Sequence, residues 1–80
     1  MEPAVAFGKV LRQLRQDAGL TQEELGFEAD LRRTYISILE LGQQQSTLTT
    51  ILKLSAALHK SAGELVKLVE EKLLSAKRKR

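Results

Sequence analysis

Apolar residues in this chain recur at helical spacing, in short stretches that glycines and capping residues cut off. From position 7 they fall at Phe7, Val10, Leu11, Leu14 and Ala18, a stripe at i, i+3, i+4, i+7 and i+11, with Lys9, Arg12, Gln13 and Gln16 off it. Gly19 follows where a left-handed residue closes a helix. No segment alternates apolar and polar with period 2, which argues against a sheet.

The same punctuation sets the later helices. Thr21-Gln22-Glu23-Glu24 is a capping box: the threonine oxygen accepts from the Glu24 N–H and the carboxylate reaches back to the threonine N–H. The short helix it opens turns Leu25 and Ala29 inward. Gly26 within it costs about 1 kcal/mol relative to alanine, which predicts a close approach by a neighbouring helix. Asp30-Leu31 reads as a turn, since aspartate tolerates positive φ better than most residues. A third helix is expected from Arg32 or Arg33 to Leu41, with Ile36 and Leu39 inward and Gly42 closing it. Gln43-Gln44-Gln45-Ser46 reads as a loop. A fourth helix, Thr47 to Leu58, is expected to bury Leu48, Ile51, Leu52 and Leu58. Ser61-Ala62-Gly63-Glu64 is a second capping box and opens a fifth helix with Leu65, Leu68, Val69 and Leu73 on one face. The pattern predicts an all-α domain of five short helices over 5–75, between an N-terminal tail 1–4 and a basic tail 76–80.

Composition narrows the chemistry. The 80 residues contain no cysteine, which removes disulfide scaffolds, zinc fingers and thiol catalysis. No P-loop, nucleophile–histidine pair or metal-ligand spacing occurs, and His59 stands alone, so neither enzyme, cofactor nor metal is expected. No apolar run nears the ~18 residues of a membrane span. Met1-Glu2-Pro3 lacks the basic start of a signal peptide, so a cytoplasmic protein is expected. The net charge of +3 belongs to the Lys77–Arg80 run; without those four, the balance is 9 basic against 10 acidic. Such a run usually reads as a solvated tail. Any attraction to nucleic acid has to come from particular residues.

Those residues lie between 21 and 42, a short helix, a tight turn and a second helix. The segment Leu14-Arg15…Ala18-Gly19-Leu20-Thr21-Gln22-Glu23-Glu24-Leu25, then Arg33-Thr34-Tyr35-Ile36-Ser37…Leu39-Glu40-x-Gly42, resembles the helix-turn-helix of the phage repressor and Cro type, also called the xenobiotic response element type. The likeness continues through Thr47-Leu48, Ser55 and Leu58 to Ser61 and Leu65, covering about 7–68. It implies a compact lambda-repressor-like fold, with helices 2 and 3 as the motif and helix 3 reading bases in the major groove.

The residue types suit that task. With Ile36 set at the core, Thr34, Ser37, Ile38 and Leu41 project outward and Arg33 flanks the helix start. Arginine pairs bidentately with guanine O6/N7, threonine and serine bond base edges, and isoleucine touches a thymine methyl. The resemblance implies the same base-reading positions: Arg33, Thr34, Ser37 and Ile38. Gln22 matches the family's phosphate clamp, and Arg32, Tyr35, Gln43 and Gln44 are candidates for further phosphate contacts, with Gln45, Lys9 and Arg12 beyond them. Arg15 and Glu40 match its interhelical salt bridge; a cation there offsets a glutamate at the negative end of a helix.

Departures from the family pattern also appear: Asp30 for glycine, Gly26 for alanine, Leu41 for a polar residue, and Ser46 for proline, in a loop without a cation. Apolar Ile38 and Leu41 leave room for a protein partner on that face. The fifth helix carries more apolar residues than one stripe needs, which predicts a homodimer through Leu65, Val66, Val69 and Leu73. The expected function is a dimeric, sequence-specific regulator on a two-fold operator of double-stranded DNA. The alternative is a protein-interaction module, or an antitoxin of a toxin–antitoxin pair, on the same fold.

Overall fold

Pro3 begins the first helix, because proline at the first helical position has its φ preset and no N–H to satisfy. In the structure, a computed structural model that describes residues 1–78, α1 spans Pro3–Asp17, α2 Gln22–Ala29, α3 Arg33–Glu40, α4 Leu48–Ala57 and α5 Ala62–Arg78. Two expected tails therefore shorten. Residues 3 and 4 are helical, and α5 carries the chain on past position 75; Lys79 and Arg80 lie outside the described residues. Among the described residues there is no strand.

Helix ends follow local chemistry. Thr21 and Glu24 exchange both bonds of their capping box, at 3.0 and 2.8 Å. Asp30 closes α2 at φ 56, ψ 47, and the Leu31 N–H returns to the Gly26 carbonyl at 2.8 Å. Gly26 is needed here: a Cβ would stand 2.6 Å from the Leu31 carbonyl oxygen. The crowding group is thus the turn into α3 rather than a separate helix. Ser61 and Glu64 form the second box, at 3.0 and 2.9 Å.

The backbone N–H of Ser61, then its hydroxyl, holds the exposed Glu64 carboxyl below its ordinary range. A lowered folded value means that this contribution to stability is present above the unfolded pKa and is lost as pH falls through the folded one. Glu64→Gln is expected to flatten the fall in melting temperature between about pH 5 and 3. Circular dichroism melts across that range check it; an unchanged slope would assign the acid sensitivity elsewhere.

Every helix contributes to one core, whose fully buried large side chains are Leu11, Leu25, Ile36, Leu39, Leu54 and Leu65. Each such leucine or isoleucine stabilises the fold by about 1.5–3 kcal/mol. The third helix packs against α1 and α2, α5 against α1 and α4, and α2 against α4. Two expectations for α4 are corrected: Leu48 is 69% and Leu52 52% exposed. Its inward face is Thr50, Leu54, Ser55 and Leu58, with Ile51 half-buried. Thr50 and Ser55 fit there because their hydroxyls find local partners, Thr47 Oγ1 and the Leu52 carbonyl. Ala18, assigned to the inward stripe of α1, is exposed at its C-cap.

Candidate nucleic-acid interface

The third helix is anchored on one side and open on the other. Ile36 and Leu39 are fully buried, while Arg32, Arg33 and Thr34 at its start are exposed and Ser37 and Ile38 half-buried. Arg32 is the N-cap, in extended conformation, and no side chain caps the first turn. Among the described residues neither Arg32 nor Arg33 has an ion-pair partner. Cationic side chains and the positive end of a helix are therefore presented together.

The carboxylate at the C-terminal end of α3 is neutralised. Arg15 Nε donates to Glu40 Oε2 at 2.6 Å and a terminal nitrogen to Oε1 at 3.0 Å, while its other terminal nitrogen bonds the Leu20 carbonyl at 2.8 Å. The side chains are 11% and 4% exposed. The bond to Glu40 raises the Arg15 pKa, against a smaller opposing effect of burial. Gln22 Nε2 donates to the same Oε1 at 3.1 Å, so one amide hydrogen at the expected phosphate position is already engaged. Arg15, Thr21, Gln22, Glu23 and Arg33 line one shallow depression, which brings Arg33 and Gln22 together.

The remaining candidates divide. Gln43, Gln44 and Gln45 are exposed just beyond the C-terminal end of α3, beside exposed Leu41. The Tyr35 hydroxyl lies 3.3 Å from Thr50 Oγ1 on α4, and its ring packs against the core. Lys9 and Arg12 are exposed on α1. His59, at φ 58, ends α4 in the left-handed region and is exposed. Among the described residues no group of side chains is arranged to hold a metal ion.

Of the expected dimer residues, Leu65 is withdrawn: it is fully buried in its own subunit, where its side chain fills the core under α1 and α4. Val69 packs half-buried against that core and Leu73 is half-buried, whereas Val66 is exposed. Exposed Leu48, Leu52, Val66 and Leu74 lie on α4 and α5, which pack together.

Sequence reasoning missed Gly8, Thr50 and Phe27. Gly8 sits where α1 crosses α3, and its only sequence signal was an unfavourable residue inside a strong helical pattern. Thr50 gave none, because a pattern of apolar positions passes over it. Phe27 is 85% exposed on α2.

A short helix, a left-handed turn and a second helix held across it define a helix-turn-helix protein. Residues 11–65 match that family, and the chain belongs to it. The control protein C.BamHI of Bacillus amyloliquefaciens is 47% identical over 53 residues, 65% of either chain and so just under two thirds of that relative's length. An HTH-type transcriptional regulator, y4dJ, of Sinorhizobium fredii is 38% identical over 64 residues, 80% of this chain and 83% of its own. The crystal structure of the restriction-modification controller protein C.AhdI from Aeromonas hydrophila superposes with a TM-score of 0.75 at 45% identity, covering 78% of this chain and 94% of that one.

Proposed function

We propose that this chain binds double-stranded DNA sequence-specifically as a dimeric transcriptional regulator, with α3 in the major groove. The observation that carries it is the exposed Arg32-Arg33-Thr34 start of a helix whose opposite face is locked into the core. Arg33, Thr34, Ser37 and Ile38 read base edges; Gln22, Arg32, Gln43 and Gln44 meet phosphates. It is a binding protein rather than an enzyme, and it acts in the cytoplasm or nucleoid. The control and regulator roles in the relatives' names support this reading.

Selection of duplexes from a random pool tests it, with the selected duplex then titrated against mixed-sequence DNA. Arg33→Ala is expected to weaken the selected duplex about 10- to 100-fold and to narrow its advantage over mixed sequence. No enrichment of any duplex by the wild type would overturn the reading.

The second copy is held by α4 and α5. Their exposed Leu48, Leu52, Val66 and Leu74 supply the apolar surface that the second copy covers. Half-sites about 34 Å apart follow from a two-fold arrangement. Leu52→Glu combined with Val66→Glu is expected to give a monomer by light scattering at tens of micromolar, where the wild type is a dimer. A monomeric wild type would contradict this.

Exposed Leu41, beside half-buried Ile38, favours a second reading, a protein-interaction module or antitoxin with a partner on that face. A partner that co-purifies while DNA binding is absent would select it.

A further inference from the structure

Two glycines far apart in the chain meet from opposite sides of one crossing. Gly8 is buried in α1 against the last turn of α3, and a Cβ on it would lie 2.7 Å from the Glu40 carbonyl oxygen and 3.0 Å from the carbonyl carbon. Gly42, just past α3, faces α1 in return: a Cβ there would stand 2.9 Å from both the Cα and the Cγ2 of Val5. Val5 and Gly8 are three residues apart and so share one face of α1. Over that single turn the backbone of α1 lies against the backbone of residues 39–42.

Gly42 also closes α3 at φ 72, with its N–H on the Leu39 carbonyl and the Gln43 N–H on that of Ile38. Capping alone does not account for its place. Gly19 closes α1 at the same φ of 72 and with the same pair of bonds, its own N–H to Gln16 and that of Leu20 to Arg15. Yet a Cβ on Gly19 would meet nothing within 4 Å. What sets Gly42 apart is the approach of α1.

The two ends of α3 are therefore fixed by different neighbours. Its start follows the tight turn against Gly26 of α2, and its end is set by α1. Arg33 and Thr34 at the start are exposed, and a long arginine side chain can follow a partner that moves. Ser37 is short and Ile38 stiff, and both are half-buried, so their reach depends on where the helix backbone stands. Recognition groups have to be held to within about 0.5 Å. Ordinary Cβ contacts begin at 3.4 Å, against 2.7 and 2.9 Å here, so alanine at either glycine asks for a shift at least that large.

We propose that Gly8 and Gly42 are positioning residues for base reading: as a reciprocal pair they set the separation of α1 from the end of α3, and with it how deep Ser37 and Ile38 enter the groove. The inference rests on the DNA-binding reading above and deepens it, assigning the fine position of α3 to two residues that themselves carry no side chain.

Gly42→Ala and Gly8→Ala test it, with Gly19→Ala as the control that has the same left-handed strain without the contact. Each variant, well below its melting temperature, selects duplexes from a random pool. Arg33→Ala and Ser37→Ala are run beside them to mark the base pairs read at the start and in the second turn of α3. Gly42→Ala and Gly8→Ala are expected to lose preference at the pairs marked by Ser37→Ala and to keep it at those marked by Arg33→Ala. Their affinity for the wild-type duplex is expected to fall about tenfold, the size of one mismatched pair. Gly19→Ala is expected to select the wild-type sequence with unchanged affinity, although it melts earlier. Where Gly8→Ala fails to fold, Gly42→Ala carries the test. Wild-type preferences in Gly42→Ala would overturn the proposal, as would preferences blurred equally at both sets of pairs or equally in Gly19→Ala. So would a crystal structure of free Gly42→Ala in which α1 and α3 keep their separation. A wild type that enriches no duplex fails the DNA-binding reading instead, and that crystal structure still reports on the glycine pair.

Discussion

Gly8→Ala is expected to lower the melting temperature by about 12–24 °C, the equivalent of about 3 kcal/mol in a domain of this size. Two effects of opposite sign compete at this position. Alanine in place of a helical glycine ordinarily stabilises by about 0.5–1 kcal/mol. Here the added Cβ would lie 2.4 Å from the Leu39 carbonyl oxygen and 2.7 Å from that of Glu40. Both atoms are backbone, so no side chain can swing away, and α1 and α3 have to separate. That movement also disturbs Arg15–Glu40 and loosens the fully buried Leu39. Overpacking therefore wins. Gly63→Ala is the control, since its Cβ would meet nothing nearer than Ser61 Oγ at 3.8 Å; a neutral or slightly stabilising effect is expected. Thermal unfolding of the two variants side by side decides the matter, and equal melting temperatures would refute the close crossing of α1 and α3.

Glu40→Ala is expected to cost about 3–5 kcal/mol, because it leaves the largely buried Arg15 guanidinium without its counter-charge. Three bonds to Glu40 vanish at once, two from Arg15 and one from Gln22. The consequence reaches DNA binding by two routes: α3 loses the polar tie at its C-terminal end, and the Gln22 amide loses its orientation. Affinity for the selected duplex is expected to fall even at temperatures where the variant remains folded. Arg15→Lys is expected to rescue little, since an ammonium group cannot make the forked contact. If Glu40→Ala left both melting temperature and affinity unchanged, Ile36 and Leu39 alone would suffice to hold α3.

Much of the fold was legible because helix ends are local events. Thr21 with Glu24, Ser61 with Glu64 and the left-handed Asp30 each involve partners within a few residues, so their chemistry can be read along the chain. The inward face of α4 was not legible. Leucines at 48, 52, 54 and 58 and Ile51 populate more than one side of that helix, and periodicity alone cannot choose among them. The polar residues that do turn inward, Thr50 and Ser55, are satisfied by partners that appear only when the helices are in place. Leu65 was misassigned for the same reason: an apolar excess on α5 announces a second surface without saying which residues form it.

The candidate site shows the same division. Thr34 and Ser37 could be picked out because they turn outward once Ile36 is set inward, a matter of 100° per residue, and Arg33 because it flanks the helix start. Arg15 and Glu40 are 25 residues apart, and nothing in their spacing pairs them; family resemblance alone suggested it. The order of residues thus dictated that there would be short helices and where each would break, since those choices depend on neighbours within a turn or two. The three-dimensional packing settled how near α1 passes to α3, which leucines remain outside and which hydroxyl Tyr35 meets, because such contacts join groups distant in the chain and exist only after the helices have docked.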